Sequence, residues 1–452
     1  MTSAIGFALG LLVFAENQNA GDQVTVLRNV AVLDGTGRAV QQNQDVTIKG
    51  DRILSIKAAS SVVPKGARVV DLAGKTIMPQ LINSHGHLGL LKGTTMSSAN
   101  YTEDNIRAQL LRYEAYGVGA VLVLGTDHDE IFGLREASRK GTLPGAAIYT
   151  AGKGFGVKDA LPPLSFGMDQ VFRPLTEAEA RNELRQLAAK KPDVVKIWVD
   201  DLWGTLPKMK PEIYGGIIQE AHRHGLRVAS HVFYLEDARK LVGSGLDIIA
   251  HSVRDAEIDD PLLAEMKKRK VAYIPTLSLD EFAFAYQNDP QWLNSPFFQA
   301  ALEPGVLQMI TSAEYKEKVR KNPNTAKEVS ALQVALKNVK RIHDAGILLS
   351  MGTDSGAQPI RVQGFSEHME LELLVKAGLT PLQAIATATK NAAALLKVDD
   401  RYGTLAPGKK ANFIVLDKDP STDILNTRTI SAVWKNGEKV NEGPLATLAK
   451  AN

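Results

Sequence analysis

Six side chains that can bind a metal ion stand within or at the ends of apolar runs of this sequence. They are His85, His87, Lys196, His231, His251 and Asp354. His85 and His87 are two positions apart, so both imidazoles point to the same face if the segment is a strand. Burying ionisable groups without partners is costly, and a bound cation removes that cost. The pattern therefore predicts a metal centre.

The composition of this set favours two cations over one. Four imidazoles and one carboxylate exceed the three protein ligands of a single open catalytic zinc site. Lysine is a poor ligand as an ammonium ion, but burial lowers its pKa and the neutral amine can add CO2 to form a carbamate. A carbamate is a bidentate anion able to bridge two ions roughly 3.5–4 Å apart. Zn²⁺ suits these ligands first, while Mn²⁺, Co²⁺ and Fe²⁺ stay open.

Apolar β-type runs position these residues along the chain. The runs are 76–87, 118–125, 145–152, 193–200, 226–233, 246–253, 271–278 and 347–354. Amphipathic helical patterns lie between them, and such alternation predicts a parallel sheet covered on both faces. Eight units fit a closed (β/α)8 TIM barrel, whose C-terminal strand ends meet at one mouth. An open doubly wound sheet is the alternative, but its usual glycine-rich loop after the first strand is missing.

Both ends of the chain contain short strand-like runs separated by turns. Neither end has enough strands for a sheet of its own, so we expect them to pair. The predicted fold class is α/β, with a (β/α)8 TIM barrel over 79–402 and a small composite β-sandwich domain from 21–78 and 403–445.

Composition and charge exclude several classes of protein. The chain has no cysteine, which excludes disulfides, zinc fingers and a cysteine nucleophile. The net charge is +3 and there is no basic tract, so we expect no nucleic-acid or membrane partner.

The first 20 residues have two open interpretations. The apolar run 4–15 is too short to span a bilayer but suits the core of a secretory signal, although no Lys or Arg precedes it. The segment is either a signal peptide, which would place the protein outside the cell or in the periplasm, or an apolar tail of a cytoplasmic protein.

Five motifs occur in a characteristic order: MPQLINSHGH at 78–87, VVKIWV at 194–199, HGLRVASH at 224–231, GLDIIAHS at 245–252 and GTDSG at 352–356. Together they resemble the amidohydrolase superfamily, in particular its prolidase-like and imidazolonepropionase-like branch, over most of residues 24–440. The resemblance implies a metal-dependent hydrolase of amide-type C–N bonds. It assigns the more buried metal to His85, His87 and Asp354, the more exposed metal to His231 and His251, and the bridge to carboxylated Lys196.

The resemblance also implies catalytic roles. A hydroxide held between the metals is the nucleophile, and Asp354 is its general base and then the acid that protonates the leaving amine. His251 and Tyr234 are further catalytic candidates, Tyr234 as a contact to the substrate or an oxyanion. Asp127, His128 and His368 are weaker candidates for substrate contacts.

The substrate stays open at this level. A dipeptide or N-acyl amino acid is favoured, but no arginine cluster for a substrate carboxylate is evident, which keeps aryl amides, carbamates and ureas as alternatives. Asp200 and Asp201 follow the lysine run where small residues are more usual, which also bears on substrate preference. A mononuclear deaminase-like enzyme would not need Lys196, and a silent binding protein is the third hypothesis. We expect a small-molecule substrate and a homo-oligomer.

Overall fold

The computed structural model describes residues 23–60 and 62–446, so the expected signal or tail at 1–20 lies outside the described residues. The strands are β1 (Val24–Val32), β2 (Gln41–Lys49), β3 (Arg52–Ala58), β4 (Arg68–Asp71), β5 (Thr76–Pro79), β6 (Leu81–Gly86), β7 (Leu91–Lys92), β8 (Thr95–Met96), β9 (Val118–Val123), β10 (Ala147–Thr150), β11 (Val195–Val199), β12 (Val228–Val232), β13 (Ile248–Ala250), β14 (Ala272–Ile274), β15 (Phe413–Leu416), β16 (Ile430–Lys435) and β17 (Glu438–Asn441).

The helices alternate with the central strands. They are α1 (Glu103–Ala115), α2 (Ile131–Lys140), α3 (Glu177–Ala189), α4 (Pro211–Arg223), α5 (Leu235–Gly243), α6 (Asp260–Arg269), α7 (Leu277–Phe282), α8 (Pro296–Gln299), α9 (Val306–Thr311), α10 (Ala313–Lys321), α11 (Thr325–Asp344), α12 (Phe365–Lys376), α13 (Pro381–Ala388) and α14 (Lys390–Leu395). Short 3-10 helices cover Ser98–Asn100, Leu164–Phe166, Ala285–Asn288, Gln291–Asn294 and Ile424–Arg428. The α/β class is confirmed.

Strands from the two ends of the chain form one sheet. Its order is β17-β16-β15-β5-β1-β2-β3, and β4 pairs with β1. Strand β5 joins the two halves, because it lies parallel to β1 and antiparallel to β15. The edge strand β3 bonds back to residues 408–411, which lead into β15. The sheet therefore curls around its own apolar cluster, which includes Leu27, Phe413 and Trp434.

The central strands form two parallel sheets, β10-β9-β6 and β11-β12-β13-β14. Parallel bridges join the sheets and the segment 347–355: Phe155 to Ile197, Tyr273 to Leu349, and Gly86 to Ser355. These links run from β6 through both sheets and back to β6. The segment 347–355 thus closes a circuit of parallel chain segments.

Two details differ from the sequence prediction. The run 76–87 is divided at Gln80 into β5 and β6, which belong to different sheets. The last run, 347–354, is not a regular strand: it is held by isolated bridges at Leu349 and Ser355. Its backbone must turn to a positive φ of 58° at Asp354, which ends extended pairing there.

Alternating residues of the central strands enter two apolar clusters. Ile249 of β13 packs into the large cluster, which contains residues of most helices. Its neighbours Ile248 and Ala250 pack into a smaller cluster made of strand residues and one side of α14. Strands show this period of two when helices cover one of their faces and the other strands cover the opposite face. The circuit therefore has an inner and an outer face.

The region between β14 and α12 contains further helices, α7 to α11. Aromatic rings of Phe282, Tyr286, Trp292, Phe298 and Phe365 pack against one another there. Across the described ranges, every helix falls short of the length and apolarity needed to cross a bilayer.

Candidate metal centre

The inner face of the circuit carries the lysine and one histidine. Val195 and Ile197 of β11 pack into the large apolar cluster on the outer face. Lys196, which lies between them, therefore points to the inner face. In β12, Ala229 lies in the smaller apolar cluster on the inner face. His231 follows two residues later and therefore points to the same face as Ala229. The alternation of the strands alone thus points both side chains to the interior.

Two glycines make room for these side chains. A Cβ on Gly125, which has a φ of 89°, would lie 2.7 Å from Cγ of Lys196. A Cβ on Gly352 would lie 2.8 Å from Cβ of His85. Real Cβ atoms do not approach so closely, so only glycine lets the neighbouring chain segments come this near.

His85, His87 and Asp354 form a compact group of ligand atoms. Nε2 of His87 lies 2.8 Å from Oδ1 of Asp354, and Nε2 of His85 lies 3.2 Å from the same oxygen. Backbone bonds fix this arrangement, because the Asp354 N–H donates to the His85 carbonyl at 2.7 Å. All three ligand atoms lie within 4.8 Å of one another. The group has the size and chemistry of a metal site.

His231 and His251 adjoin this group. The ring centroid of His251 lies 4.5 Å from that of His85 and 4.4 Å from that of His231. His251 has a φ of 74°, an uncommon backbone conformation for a residue other than glycine. Like the positive φ at Asp354, it marks a strained position of the kind that collects at functional sites.

Three of the imidazoles have one ring nitrogen occupied by a polar side chain. Nδ1 of His87 bonds the Thr126 hydroxyl at 2.7 Å, and Nδ1 of His251 bonds the Thr276 hydroxyl at 2.7 Å. Nε2 of His231 bonds Oδ2 of Asp200 at 2.7 Å. Such bonds orient metal-binding histidines and fix which nitrogen remains available. These three outer partners were not predicted from the sequence as supports of the ligands.

Burial keeps His85, His231 and His251 neutral, as metal binding requires. Desolvation, assisted by the nearby Lys196, lowers the pKa of His85 to about 3. Desolvation also lowers the pKa of His231 and holds that of His251 well below its usual value. Burial would raise the pKa of Asp354, but Arg361 and the two adjacent histidines outweigh it and hold that pKa well below its usual range. Neutral rings beside an ionised carboxylate are good ligands.

Lys196 is fully buried, and its Nζ makes no hydrogen bond with any described residue. Desolvation lowers the pKa of its amine to about 7, while Asp354 opposes the shift. A neutral amine near pH 7 has a free lone pair, which an ammonium ion lacks. The lysine therefore has the protonation state that reaction with CO2 needs, and its unpartnered nitrogen fits a position that a bound group would satisfy.

We expect a pH dependence of stability from this lysine in the metal-free protein. Its pKa is about 7 when folded and about 10.4 when unfolded, so between these values only the unfolded chain holds the proton. Stability must then rise with pH, by about 1 kcal/mol per pH unit. Urea unfolding at pH 8 and pH 9 should show this rise in the wild type and a smaller one in Lys196→Met. Equal slopes would contradict the expectation, and exposed Lys268→Met is the control.

A cavity of about 330 Å³ opens onto the centre. Five of the six predicted ligands line this cavity. The sixth, Lys196, is buried beneath the surface of the cavity. Its apolar wall includes Phe166, Met168, Trp198, Trp203 and Phe233.

Two arginines line the same cavity, Arg254 and Arg361. The sequence shows no arginine cluster that could bind a substrate carboxylate, whereas the fold brings these two side chains to one cavity. The two lie more than a hundred positions apart and come together through the fold. Arg361 lies on the irregular loop after Asp354, where sequence periodicity carries no information about direction.

The other sequence candidates lie outside this cavity. The Tyr234 hydroxyl donates to Asp201 at 2.7 Å, beside Lys208, so the structure does not bring it to the metal ligands. His368 is buried between the Thr427 hydroxyl and the Tyr116 carbonyl, each at 3.0 Å.

Two further candidates lie together after β9. The ring of His128 stacks on that of Tyr101 with centroids 4.2 Å apart. The Tyr101 hydroxyl donates to buried Asp127 at 2.8 Å. Desolvation raises the pKa of this aspartate to about 7. Neither side chain lines the cavity.

We expect Asp200→Ala to weaken the binding of one metal ion by about 10- to 100-fold, because His231 loses the carboxylate that orients its ring. The measurement is a competition with a metal chelator. Asp201→Ala is the matched control, since that neighbouring carboxylate bonds Tyr234 and Lys208 instead. Equal weakening in the two variants would contradict the role of Asp200.

The set of donors fits divalent cations. It combines neutral imidazoles, an ionised carboxylate and an unpartnered buried amine around one cavity, while three outer side chains fix the rings. A network of ion pairs with a purely structural role would not need so many buried, neutral side chains.

Comparison with known proteins agrees with this chemistry. The model of the amidohydrolase family matches residues 76–440. An imidazolonepropionase of Deinococcus deserti is 37% identical over 107 residues, 22% of this chain and 26% of that protein. An ochratoxinase of Aspergillus niger is 24% identical over 342 residues, 73% of this chain and 60% of that protein. The chain thus spans less than two thirds of either relative. A Xaa-Pro dipeptidase structure with bound methionine has a similar fold, with a TM-score of 0.76, 22% identity and coverage of 93% and 100%.

Proposed function

The chain belongs to the amidohydrolase family, and from this premise we propose that it is a binuclear metal-dependent hydrolase of amide-type C–N bonds, with a dipeptide or N-acyl amino acid as substrate. One observation carries the proposal. The buried amine of Lys196, which has no hydrogen-bond partner in the described part of the chain, lies on the same inner face as His231, next to three other imidazoles and an ionised carboxylate.

The proposed ligands are those that the family resemblance assigned. His85, His87 and Asp354 would hold one ion, His231 and His251 would hold the other, and Lys196, as a carbamate, would supply an anion to both. Zn²⁺ is the first choice for these donors. When bound, the ions would lower the pKa of a water molecule and polarise the substrate carbonyl.

Asp354 performs the proton transfers in this proposal. Its low pKa keeps it ionised, so it can accept a proton from the attacking water and pass it to the leaving nitrogen. The hydroxyl of the water goes to the carbonyl carbon, the C–N bond breaks, and the nitrogen gains the proton. The products are a carboxylic acid and an amine, with no change in oxidation state.

The remaining structural predictions join this proposal. We propose that the circuit of β6, β9 to β14 and 347–355 is a closed (β/α)8 barrel over 79–402. The curled sheet would be the composite β-sandwich domain of 21–78 and 403–445. A homo-oligomer that acts on a small molecule, without nucleic-acid or membrane partners, completes the proposal.

Two alternative activities use the same cavity. Aryl amides, carbamates and ureas would suit its aromatic wall. A mononuclear deaminase-like enzyme would need no amine at position 196, and the desolvated, unpartnered state of Lys196 favours the binuclear enzyme.

The test is a screen of metal-reconstituted protein against dipeptides, N-acyl amino acids, anilides, phenylureas and aminopurines. We expect release of an amine from the first two classes. Release of ammonia from aminopurines by protein with one metal ion would favour the deaminase. No hydrolysis in any class by protein containing two ions would contradict the proposal.

A further inference from the structure

The guanidinium of Arg361 lies at the edge of the metal centre and does not use all of its hydrogen-bond donors. One of its Nη atoms donates to Oδ2 of Asp354. Its Nε is buried, yet makes no hydrogen bond within the described residues. The side chain is 18% exposed, and it lines the cavity. An arginine in this setting can donate to a second anion while it keeps its first partner.

The other arginine of the cavity, Arg254, is less exposed and bonds backbone carbonyls. Nη1 of Arg254 donates to the carbonyls of Ser252 at 2.8 Å and Val232 at 3.3 Å. Its Nε lies 3.0 Å from Oδ1 of Asp280, and its side chain is only 7% exposed. It therefore ties β12 to the segment after β13 and to α7. Arg361 is the guanidinium that a ligand can reach.

Hydrogen bonds fix the loop that carries Arg361 to the segment that carries His87. The Gly356 N–H donates to the Arg361 carbonyl at 2.9 Å, which closes a turn. The side-chain amide of Gln363 donates to the His87 carbonyl at 2.8 Å. Arg361 is thus held near the ligands before any substrate arrives, which reduces the entropy that binding would cost.

We propose that Arg361 binds the carboxylate of an α-amino acid leaving group, so that the substrate is an N-acyl amino acid or peptide with a free α-carboxylate next to the scissile amide. The inference rests on the proposed function. Asp354 delivers a proton to the scissile nitrogen, and an α-carboxylate lies two bonds from that nitrogen. A group that contacts Asp354 directly, as Arg361 does, is therefore placed to receive it.

The apolar wall defines the rest of the substrate. Phe166, Met168, Trp198, Trp203 and Phe233 line the same cavity as Arg361. Such a cavity favours a large apolar or aromatic group attached to an anionic end. We therefore use N-benzoyl-phenylalanine as the probe and N-benzoyl-phenethylamine, which differs only by loss of the carboxylate, as its matched control.

The test compares kcat/KM for the two probes in metal-loaded wild type, Arg361→Met and Arg361→Lys. We expect the wild type to prefer the acid and Arg361→Met to lose about 10- to 100-fold of that preference, because a charge-assisted hydrogen bond is removed. Arg361→Lys should retain part of it. Arg320→Met, which alters an exposed pair on α10, should change nothing. Metal content is measured in every variant.

A binding measurement separates this role from support of Asp354. Calorimetry should show that the wild type binds phenylalanine more tightly than phenethylamine and that Arg361→Met does not. Equal losses of activity on both probes would mean that Arg361 acts only through Asp354, which would overturn the inference. Hydrolysis of both probes at similar rates by the wild type would overturn it and leave the proposed function standing. If neither probe is cleaved, the binding preference alone decides.

Discussion

We expect Asp354→Asn to lower kcat by about 10³- to 10⁴-fold while the fold persists. The carboxylate is the only ionised group that contacts both His85 and His87 among the residues the structure describes, and its low pKa keeps it ionised. An amide of the same shape cannot take up or return a proton, and loss of a general acid–base removes about 10²–10⁴ in rate. Weaker metal binding adds to the loss.

The measurement is kcat at saturating metal, with bound metal determined in the same samples. Asp201→Asn is the control, since Asp201 follows the same strand as Lys196 but bonds Tyr234 and Lys208. Asp354→Asn protein that contains both ions and keeps a tenth of wild-type activity would contradict the proton-transfer role.

Lys196→Ala is expected to lose at least one metal ion and about 10³-fold or more of activity. The side chain supplies the proposed bridge, and it is also the one buried amine of the centre without a hydrogen-bond partner among described residues. Removing it leaves space on the inner face and takes away an anion from between two cations.

A small carboxylate tests whether that anion is what matters. Acetate or propionate should restore part of the activity to Lys196→Ala, because either can occupy the space and present two oxygens. Lys196→Met fills the space with an apolar chain of similar length and should not be restored. Full activity in Lys196→Met, or active wild-type protein whose Lys196 carries no CO2, would refute the carbamate.

The strand alternation made much of this centre predictable from sequence. Lys196 lies between Val195 and Ile197, and His231 follows Ala229 by two positions. In a strand covered by helices, this spacing assigns the polar residues to the inner face, where the structure has them. The predicted membership of the amidohydrolase superfamily is confirmed, because the family model covers most of the chain.

Sequence patterns say least about side-chain placement where the backbone leaves regular structure. Tyr234 follows the end of β12, so its direction is not set by the alternation, and its hydroxyl bonds Asp201 instead of facing the cavity. Arg361 lies on a loop whose path depends on contacts such as that of Gln363 with the His87 carbonyl. Loops place functional groups through long-range contacts that local sequence patterns do not encode.

The hydrogen bonds that support the ligands were also out of reach of sequence reasoning. Thr126, Thr276 and Asp200 follow three different central strands. Each of them bonds a histidine that belongs to a different strand from its own. In the sequence, Asp200 stands out only as an unusual neighbour of the lysine run. Its bond to His231 gives that position a physical purpose, which is to orient a ligand from the adjacent strand.

The most direct test of the centre is the metal content and ligation of purified, zinc-reconstituted protein. Elemental analysis together with anomalous scattering should find two divalent ions per chain, bound by His85, His87, Lys196, His231, His251 and Asp354. Protein that retains no divalent ion at micromolar free zinc, or ions bound away from these side chains, would contradict the binuclear centre.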